Sequence, residues 1–204
     1  FIERVVFPLG AAAAFVLAVV GLYAIGETPQ TLTLPLGMPD LPFHLRLDAL
    51  AAFFLLLLGV GAFGICVYAA GYFRGESVYR LRLLSLQYHI FLAAMAFVIL
   101  ADDAYLFMVA WESMAVSSYF LVTTDHRQAA IRSAGFLYLL IAHIGAISIL
   151  LCFGILHGGG AMADYSFDAL RAHGLGESAW TSVAFVLAFL GFGAKAGMIP
   201  LHAW

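Results

Sequence analysis

Runs of apolar residues, each long enough to cross a lipid bilayer, recur along this chain. A transmembrane helix needs about 20 such residues, and six stretches qualify, at approximately 5–25, 49–70, 83–101, 104–122, 134–156 and 179–199. Of the 204 residues, 64% are hydrophobic and only 10% are charged, whereas soluble domains are about half apolar and a quarter charged. The sequence predicts an all-α polytopic membrane protein, with residues 1–204 as a single transmembrane domain.

Composition and motifs exclude several other classes. The net charge of −3 provides no basic surface for nucleic acid. Cys66 and Cys152 lie in apolar runs without CxxC or metal-ligand spacing, so we interpret both as small buried hydrophobic residues. The segment "GFGAKAG" fits neither the dinucleotide nor the phosphate-loop pattern. We therefore expect no cofactor and no metal in this chain.

The segments between the spans contain recognisable turn and strand signals. Residues 26–46 are rich in Pro, Gly and Thr, and "TLTLPLGMP" alternates as a short strand or hairpin does. The long loop at 157–178 has room for a short surface helix, and a very tight turn carries Asp102 and Asp103.

Arginine distribution predicts the orientation of the spans. The N-terminal flank and the 71–82 and 123–133 loops share one side of the membrane, and the intervening loops share the other. Six arginines lie on the first side and two on the second. The six are Arg4, Arg74, Arg80, Arg82, Arg127 and Arg132, and the two are Arg46 and Arg171. By the positive-inside rule the first side is cytoplasmic, in an inner (plasma) membrane.

Two formal charges remain inside the spans. Glu112 is the ninth of nineteen residues in its span, and Lys195 lies inside the sixth, five residues before Pro200. Glu112 and Lys195 could pair with each other only to fix helix packing, or Lys195 could extend to the membrane interface. The cost of a charge in hydrocarbon favours a functional role for each.

Further polar residues lie along the fourth span, which contains Glu112, and along the fifth. Tyr105 and Tyr119 are each seven residues from Glu112 and share its helix face, and Ser117 supplies a hydroxyl nearby. His143 is central in the fifth span. Its imidazole titrates near neutral pH, so a proton relay and a neutral packing residue are both open for it.

The segment around Lys195 predicts an interrupted helix. Small residues occupy one face before it (Ala184, Ala188 and Gly191), which permits close helix packing or leaves room for water. Gly197 and Pro200 then break the helix, or simply end it, and His202 follows. A lysine in hydrocarbon loses its proton readily unless a carboxylate is near, so a Glu112–Lys195 pair could switch between paired and separated states and move protons.

Two segments resemble a known family. "LADDAYLFMVAWESMAVSSYFLV" and "GFGAKAGMIPLHAW" are similar to proton-conducting antiporter-like subunits of respiratory complex I, Mrp antiporters and membrane-bound hydrogenases, and "YLLIAHIGAISILLCFG" most resembles the hydrogenase-4 component B branch. The resemblance implies six of about fourteen helices, arranged in two inverted repeats. It also implies that Glu112 and Lys195 are the charged pair of the first half-channel, with redox cofactors on partner subunits.

The resemblance and the intramembrane charges together indicate a function. The leading hypothesis is a proton-translocating membrane subunit of a redox-driven respiratory or hydrogenase complex, in contact with lipid, other membrane subunits and a peripheral redox arm. The alternatives are a Na⁺(K⁺)/H⁺ antiporter subunit of Mrp type and a structural scaffold subunit. Because the chain begins at Phe1 and stops at Trp204, we expect an internal fragment that lacks the first helix and the second half of the channel.

Overall fold

The computed structural model describes residues 2–75, 78–158, 164–173 and 178–199. Within these residues the chain forms seven α-helices and one two-stranded sheet, with a π-helical turn at Ile2–Val6 and a 3₁₀ turn at Thr123–Asp125. The elements are α1 (Phe7–Ala24), β1 (Gln30–Met38), β2 (Leu41–Leu47), α2 (Ala49–Tyr72), α3 (Val78–Leu100), α4 (Ala104–Val122), α5 (Ala129–His157), α6 (Phe167–His173) and α7 (Ala179–Ala196).

Six of these helices are long and apolar enough to cross a membrane, which confirms the predicted fold class and number of spans. The predicted ends differ most for α3 and α5, whose first turns contain Arg80 and Arg132. Both helices continue past the apolar stretch because arginine is a good helix former outside hydrocarbon. The α7 helix ends at Ala196, three residues earlier than predicted, since Gly197 adopts a left-handed conformation with φ of 74°.

Three helix pairs build the bundle: α1 with α2, α3 with α4, and α5 with α7, while α4 also packs against α5. Glycines bring the paired backbones together. A β-carbon at Gly21 would lie 2.6 Å from the backbone nitrogen of Leu56, and Gly59 of α2 meets the backbone of Ala18 in the same way. Such close approach is the usual basis of helix association in membranes.

One end of the bundle carries the β-hairpin and α6, and we call this end the hairpin face. The β1 and β2 strands pair antiparallel, as the alternation of "TLTLPLGMP" predicted. The carboxylate of Asp103 joins the hairpin to α4, because its Oδ1 accepts from the backbone N–H of Leu106 and its Oδ2 from that of His44, both at 2.6 Å. The backbone N–H of Ala104 donates to the carbonyl of Tyr165 at 2.9 Å, so the segment before α6 is tied to the same point.

The opposite end carries the arginines of the α2–α3 and α4–α5 connections, and we call it the arginine face. Arg80 forms an ion pair with Asp125 there. The guanidinium of Arg132 donates to the carbonyls of His126 and Arg127 at 2.7 and 3.0 Å. The structure thus collects at one end the arginines that the sequence assigned to one side of the membrane.

Candidate proton-transfer site

Glu112 lies midway along α4 and faces His143 of α5. Its Oε2 atom is 3.6 Å from Nε2 of His143, and the two side chains are 35% and 46% exposed in the described chain. This distance is slightly longer than a direct hydrogen bond, and it is short enough for a strong electrostatic interaction away from bulk water. Two groups that the sequence singled out separately therefore form one site.

A backbone contact fixes the protonation pattern of His143. Its Nδ1 lies 3.0 Å from the carbonyl oxygen of Leu139. Because a carbonyl oxygen only accepts, Nδ1 carries a proton, and the neutral ring then presents the Nε2 lone pair to Glu112. A favourable contact between Nε2 and the carboxyl group needs one more proton, held either by Glu112 or by His143. The geometry thus allows the two side chains to share one proton.

Lys195 lies in the last turn of α7 against two aromatic rings. Its Nζ donates to the hydroxyl of Tyr138 at 3.2 Å. The same atom lies 5.6 Å from the ring centroid of Tyr138 and 5.8 Å from that of Trp111. Cation–π contacts and the negative end of the helix dipole both favour a positive charge at this position.

The predicted pairing of Glu112 with Lys195 is not observed. Both residues lie in the described part of the chain, and no nitrogen–oxygen contact of ion-pair length joins them there. Lys195 instead meets Trp111, the residue that precedes Glu112. Phe192 packs edge-on against the Trp111 ring at 5.7 Å. The rings of Trp111 and Phe192 therefore lie beside Lys195, and Trp111 is the immediate neighbour of Glu112 in α4.

The small-residue face of α7 is used for close packing against α5 where the two helices cross. A β-carbon on Gly145 would lie 3.1 Å from the carbonyl oxygen of Gly191 and 3.2 Å from Cβ of Ala194. Ala184 is also buried, with 3% exposure. Of the two options that the sequence left open, close packing applies at this crossing.

The predicted accessory residues lie away from the Glu112–His143 contact. Tyr105 packs against Phe43 at the hairpin face, with ring centroids 5.7 Å apart, and Tyr119 is at the other end of α4 beside Gly135. The buried Ser117 hydroxyl donates to the carbonyl oxygens of its own helix, at 2.7 and 3.1 Å. These positions leave the proposed roles untested.

Two predicted residues, Pro200 and His202, lie outside the described residues. The α7 helix ends at a left-handed Gly197, and the backbone N–H of Met198 donates to the carbonyl of Gly193 at 3.0 Å. An interrupted helix, as opposed to a helix that simply ends, stays a prediction. In the described part of the chain no three His, Cys, Asp or Glu side chains are arranged to hold a metal ion. The expectation of no metal and no cofactor stays a prediction.

The hairpin face carries acidic groups with opposite pKa shifts. Burial raises the pKa of the Asp102 carboxyl above its ordinary value, and the nearby Arg46 partly opposes this shift. Hydrogen bonds from the backbone and side chain of Ser166 lower the pKa of Asp164. Asp102 and Asp164 therefore bind protons in different pH ranges on the same face.

Sequence reasoning missed Tyr138 and Trp111 as partners of Lys195. A signal for Tyr138 was available, since it is the one polar side chain between Ser133 and His143 in the fifth span. A buried tyrosine hydroxyl usually finds a hydrogen-bond partner. Its side chain is only 7% exposed, so a partner on a neighbouring helix was to be expected.

In the described part of the chain, six helices are apolar enough to span a membrane, and two of them carry an ionisable group near mid-length, Glu112 in α4 and His143 in α5. These features make this a multi-pass membrane protein with a candidate ion pathway. The chain belongs to the NADH:quinone oxidoreductase/Mrp antiporter transmembrane family, whose model matches residues 101–204. This match confirms the resemblance recognised from the Glu112 and Lys195 motifs.

Two relatives show how much of the chain is shared. Hydrogenase-4 component B of Escherichia coli is 36% identical over 160 residues, which are 78% of this chain and 23% of that protein. NADH-quinone oxidoreductase subunit L of Mycobacterium tuberculosis is 30% identical over 182 residues, which are 84% of this chain and 26% of that protein. The chain thus spans about a quarter of the length of these curated relatives.

Solved structures show that the fold recurs within larger chains. A chain of the membrane-bound sulfane sulfur reductase, an archaeal respiratory membrane complex, matches with a TM-score of 0.78 at 18% identity, over 100% of this chain and 42% of that one. A chain of respiratory complex I from Thermus thermophilus with bound NADH matches with 0.76 at 22% identity, over 97% and 41%. The six helices therefore form part of a larger fold in these proteins, while the count of fourteen stays a prediction.

Proposed function

We propose that this chain is the proton-conducting part of a membrane subunit in a redox-driven respiratory or hydrogenase complex. Glu112 and His143 exchange a proton at mid-membrane, and Lys195 is the next carrier along the path. The observation that supports this most directly is the 3.6 Å approach of a carboxylate to an imidazole whose other nitrogen is already committed to a carbonyl. Such an arrangement is of little use for packing, because it leaves one proton to be supplied.

The proposed mechanism is a transfer between two charge states of the site. When the proton is on His143, the imidazolium and the Glu112 carboxylate attract each other in a low dielectric. When the proton leaves, the carboxylate faces a neutral lone pair and its negative charge is uncompensated. That charge then favours arrival of the next proton, and it also favours a positive charge on Lys195 nearby.

Tyr138 and Trp111 give Lys195 a stable protonated state while no carboxylate is in contact with it. The tyrosine hydroxyl accepts from the ammonium group, and it can donate to the same nitrogen when the amine is neutral. Both charge states of Lys195 are therefore hydrogen-bonded. A proton carrier needs this property, because an unpaired polar group in hydrocarbon is costly in either state.

The test is proton uptake by the full-length subunit in its complex, reconstituted into proteoliposomes and driven by electron transfer. Lys195→Met and Glu112→Gln should each remove most of the uptake while the complex still assembles, because each removes one carrier. Glu27→Gln, an exposed glutamate outside the spans, is the matched control and should leave uptake unchanged. Uptake that is unaffected by Lys195→Met refutes the proposal.

His143 needs a separate variant because it could also be a packing residue. His143→Asn keeps a donor near the position of Nδ1 and lacks the titrating Nε2. A relay role predicts lower uptake with an altered pH profile. A packing role predicts the wild-type pH profile, and in that case Glu112 acts without His143.

The same vesicles distinguish the two alternative functions. A Na⁺(K⁺)/H⁺ antiporter subunit would move protons in response to a sodium or potassium gradient without electron transfer. A scaffold would keep full activity when Glu112 and Lys195 are both replaced by apolar residues of similar volume, since buried charges are often neutral to such exchange. We expect neither result.

The proposed partners are further membrane subunits, the lipid bilayer and a peripheral redox arm. The names of the relatives and similar structures support this, because they describe hydrogenase, quinone oxidoreductase and respiratory complexes. The arginine bias supports an inner-membrane location with the 71–82 and 123–133 loops on the cytoplasmic side.

A further inference from the structure

A cleft opens at the arginine face where the start of α3, the end of α4 and the start of α5 meet. Its volume is about 380 Å³, within the range of small-molecule sites. Its polar lining comes from Arg80, Gln87, Thr123, Thr124, His126 and Arg132. Its apolar lining comes from Leu83, Leu84 and Phe120, with Tyr119 at the boundary.

The polar rim of the cleft has an excess of positive charge. Arg80 and Arg132 contribute two guanidinium groups, and Asp125, paired with Arg80, contributes one carboxylate. The carbonyls of His126 and Arg127 hold one terminal nitrogen of Arg132 in place. A guanidinium has five N–H donors, so Arg132 is oriented and still has donors for an anion.

The apolar wall continues from the rim onto the outer surface of the helices. Leu83 is 51% exposed and Phe120 is 44% exposed, and both lie within segments long and apolar enough to span a membrane. A ligand that satisfies the whole cleft therefore has an anionic group at one end and a hydrocarbon chain at the other. A free phosphate would leave the wall of Leu83, Leu84 and Phe120 unused.

We propose that this cleft binds an anionic phospholipid. The phosphate lies between Arg80 and Arg132, and one acyl chain runs along Leu83 and Phe120. Arginine matches a phosphate with parallel hydrogen bonds, and basic pockets between membrane helices are suited to anionic headgroups. The cleft lies on the side with six of the eight arginines that lie outside the membrane interior, which is the side that faces an anionic leaflet under the positive-inside rule.

The site is separate from the proton-transfer site. Tyr119 lines the cleft and lies seven residues from Glu112 on the same helix, which corresponds to a rise of about 10 Å. The lipid would contact the ends of three helices, two of which carry Glu112 and His143. It would therefore stabilise the bundle without taking part in proton transfer, and the inference does not depend on the proposed function.

The test is lipid binding to the purified full-length protein, measured by native mass spectrometry after delipidation. Phosphatidylglycerol and phosphatidylcholine are added at equal concentrations, and inorganic phosphate is added in a separate arm. We expect wild-type protein to retain phosphatidylglycerol preferentially. Equal retention of the two lipids, or displacement of phosphatidylglycerol by millimolar inorganic phosphate, overturns the proposal.

Paired substitutions locate the site. Arg80→Gln with Arg132→Gln should weaken phosphatidylglycerol binding by about fivefold for each arginine removed. Arg74→Gln with Arg82→Gln is the matched control, because it removes the same charge from the same face at residues that do not line the cleft. Equal weakening in both pairs means general surface attraction and refutes the site. If a double variant misfolds, the single substitutions Arg80→Gln and Arg132→Gln are compared with Arg74→Gln and Arg82→Gln in the same assay, and equal weakening again refutes the site.

Discussion

Replacing Gly191 by alanine tests whether the crossing of α5 and α7 holds Lys195 in place. The added β-carbon would lie 2.5 Å from Cγ1 of Ile149 and 2.7 Å from the carbonyl oxygen of Gly145. Favourable contact between two heavy atoms begins at about 3.5 Å. The carbonyl oxygen belongs to the backbone and cannot rotate away, so the helices must separate by roughly 1 Å.

The consequence of this separation follows from the distances at the site. Overpacking of this kind costs about 1–3 kcal/mol, and the higher helix propensity of alanine offsets about 0.5–1 kcal/mol of it. The Lys195–Tyr138 hydrogen bond is already long at 3.2 Å. A displacement of roughly 1 Å would take it past the limit of a hydrogen bond.

Thermal unfolding in detergent and proton uptake in proteoliposomes measure the two effects. Gly154→Ala is the control, because it lies on α5 and its β-carbon would meet nothing within 4 Å. We expect Gly191→Ala to unfold at a lower temperature than the control and to lose uptake to the extent that Tyr138→Phe does. If Gly191→Ala is as stable and as active as Gly154→Ala, the crossing does not position the lysine.

Two further predictions concern the hairpin face. Acidification should protonate Asp102 before Asp164, since burial raises the pKa of Asp102 above 3.8 and hydrogen bonds lower the pKa of Asp164 below it. Infrared carboxyl bands, assigned with Asn variants, measure the order of protonation. The reverse order would contradict this prediction. Stability from Asp164 is then lost as pH falls below about 3.8, whereas ionising Asp102 costs stability as pH rises above that value. Asp103→Ala should lower the free energy of unfolding by about 2–4 kcal/mol, because it removes a helix cap and leaves an N–H of β2 unpaired. The control Asp48→Ala removes a simple cap and should cost about 1 kcal/mol. Equal losses of stability in thermal unfolding would show that the hydrogen bond to the hairpin contributes nothing.

The sequence was sufficient for the helices because their signals are local. For α4 the predicted bounds equal the observed ones, since Asp103 caps the helix directly before an apolar run. For α3 the prediction began at residue 83 and the helix begins at Val78. The hydropathy pattern reports the hydrocarbon layer, and it is silent about helical turns that lie in the headgroup region.

The sequence singled out the residues of the candidate site, but it did not predict which of them contact one another. Periodicity assigns Glu112, His143 and Lys195 to a face of their own helices, but it does not give the rotation of α4, α5 and α7 relative to one another. That rotation is set by contacts such as Gly145 on Gly191, which involve no charged group. The sequence therefore does not distinguish Lys195 from His143 as the partner of Glu112, and only the structure identifies that partner.

The clamp at Asp103 has a mechanical consequence for the whole helix. The Asp103 carboxylate binds both the first turn of α4 and the backbone of β2, so a displacement of the hairpin acts on one end of a rigid helix. Glu112 lies nine residues further along α4, about 13 Å from Asp103. A tilt of about 10° would then sweep the carboxylate through roughly 2 Å, comparable with its whole separation of 3.6 Å from His143. A displacement of the hairpin would thus be transmitted through Asp103 to the Glu112–His143 contact, which lies far from the hairpin face.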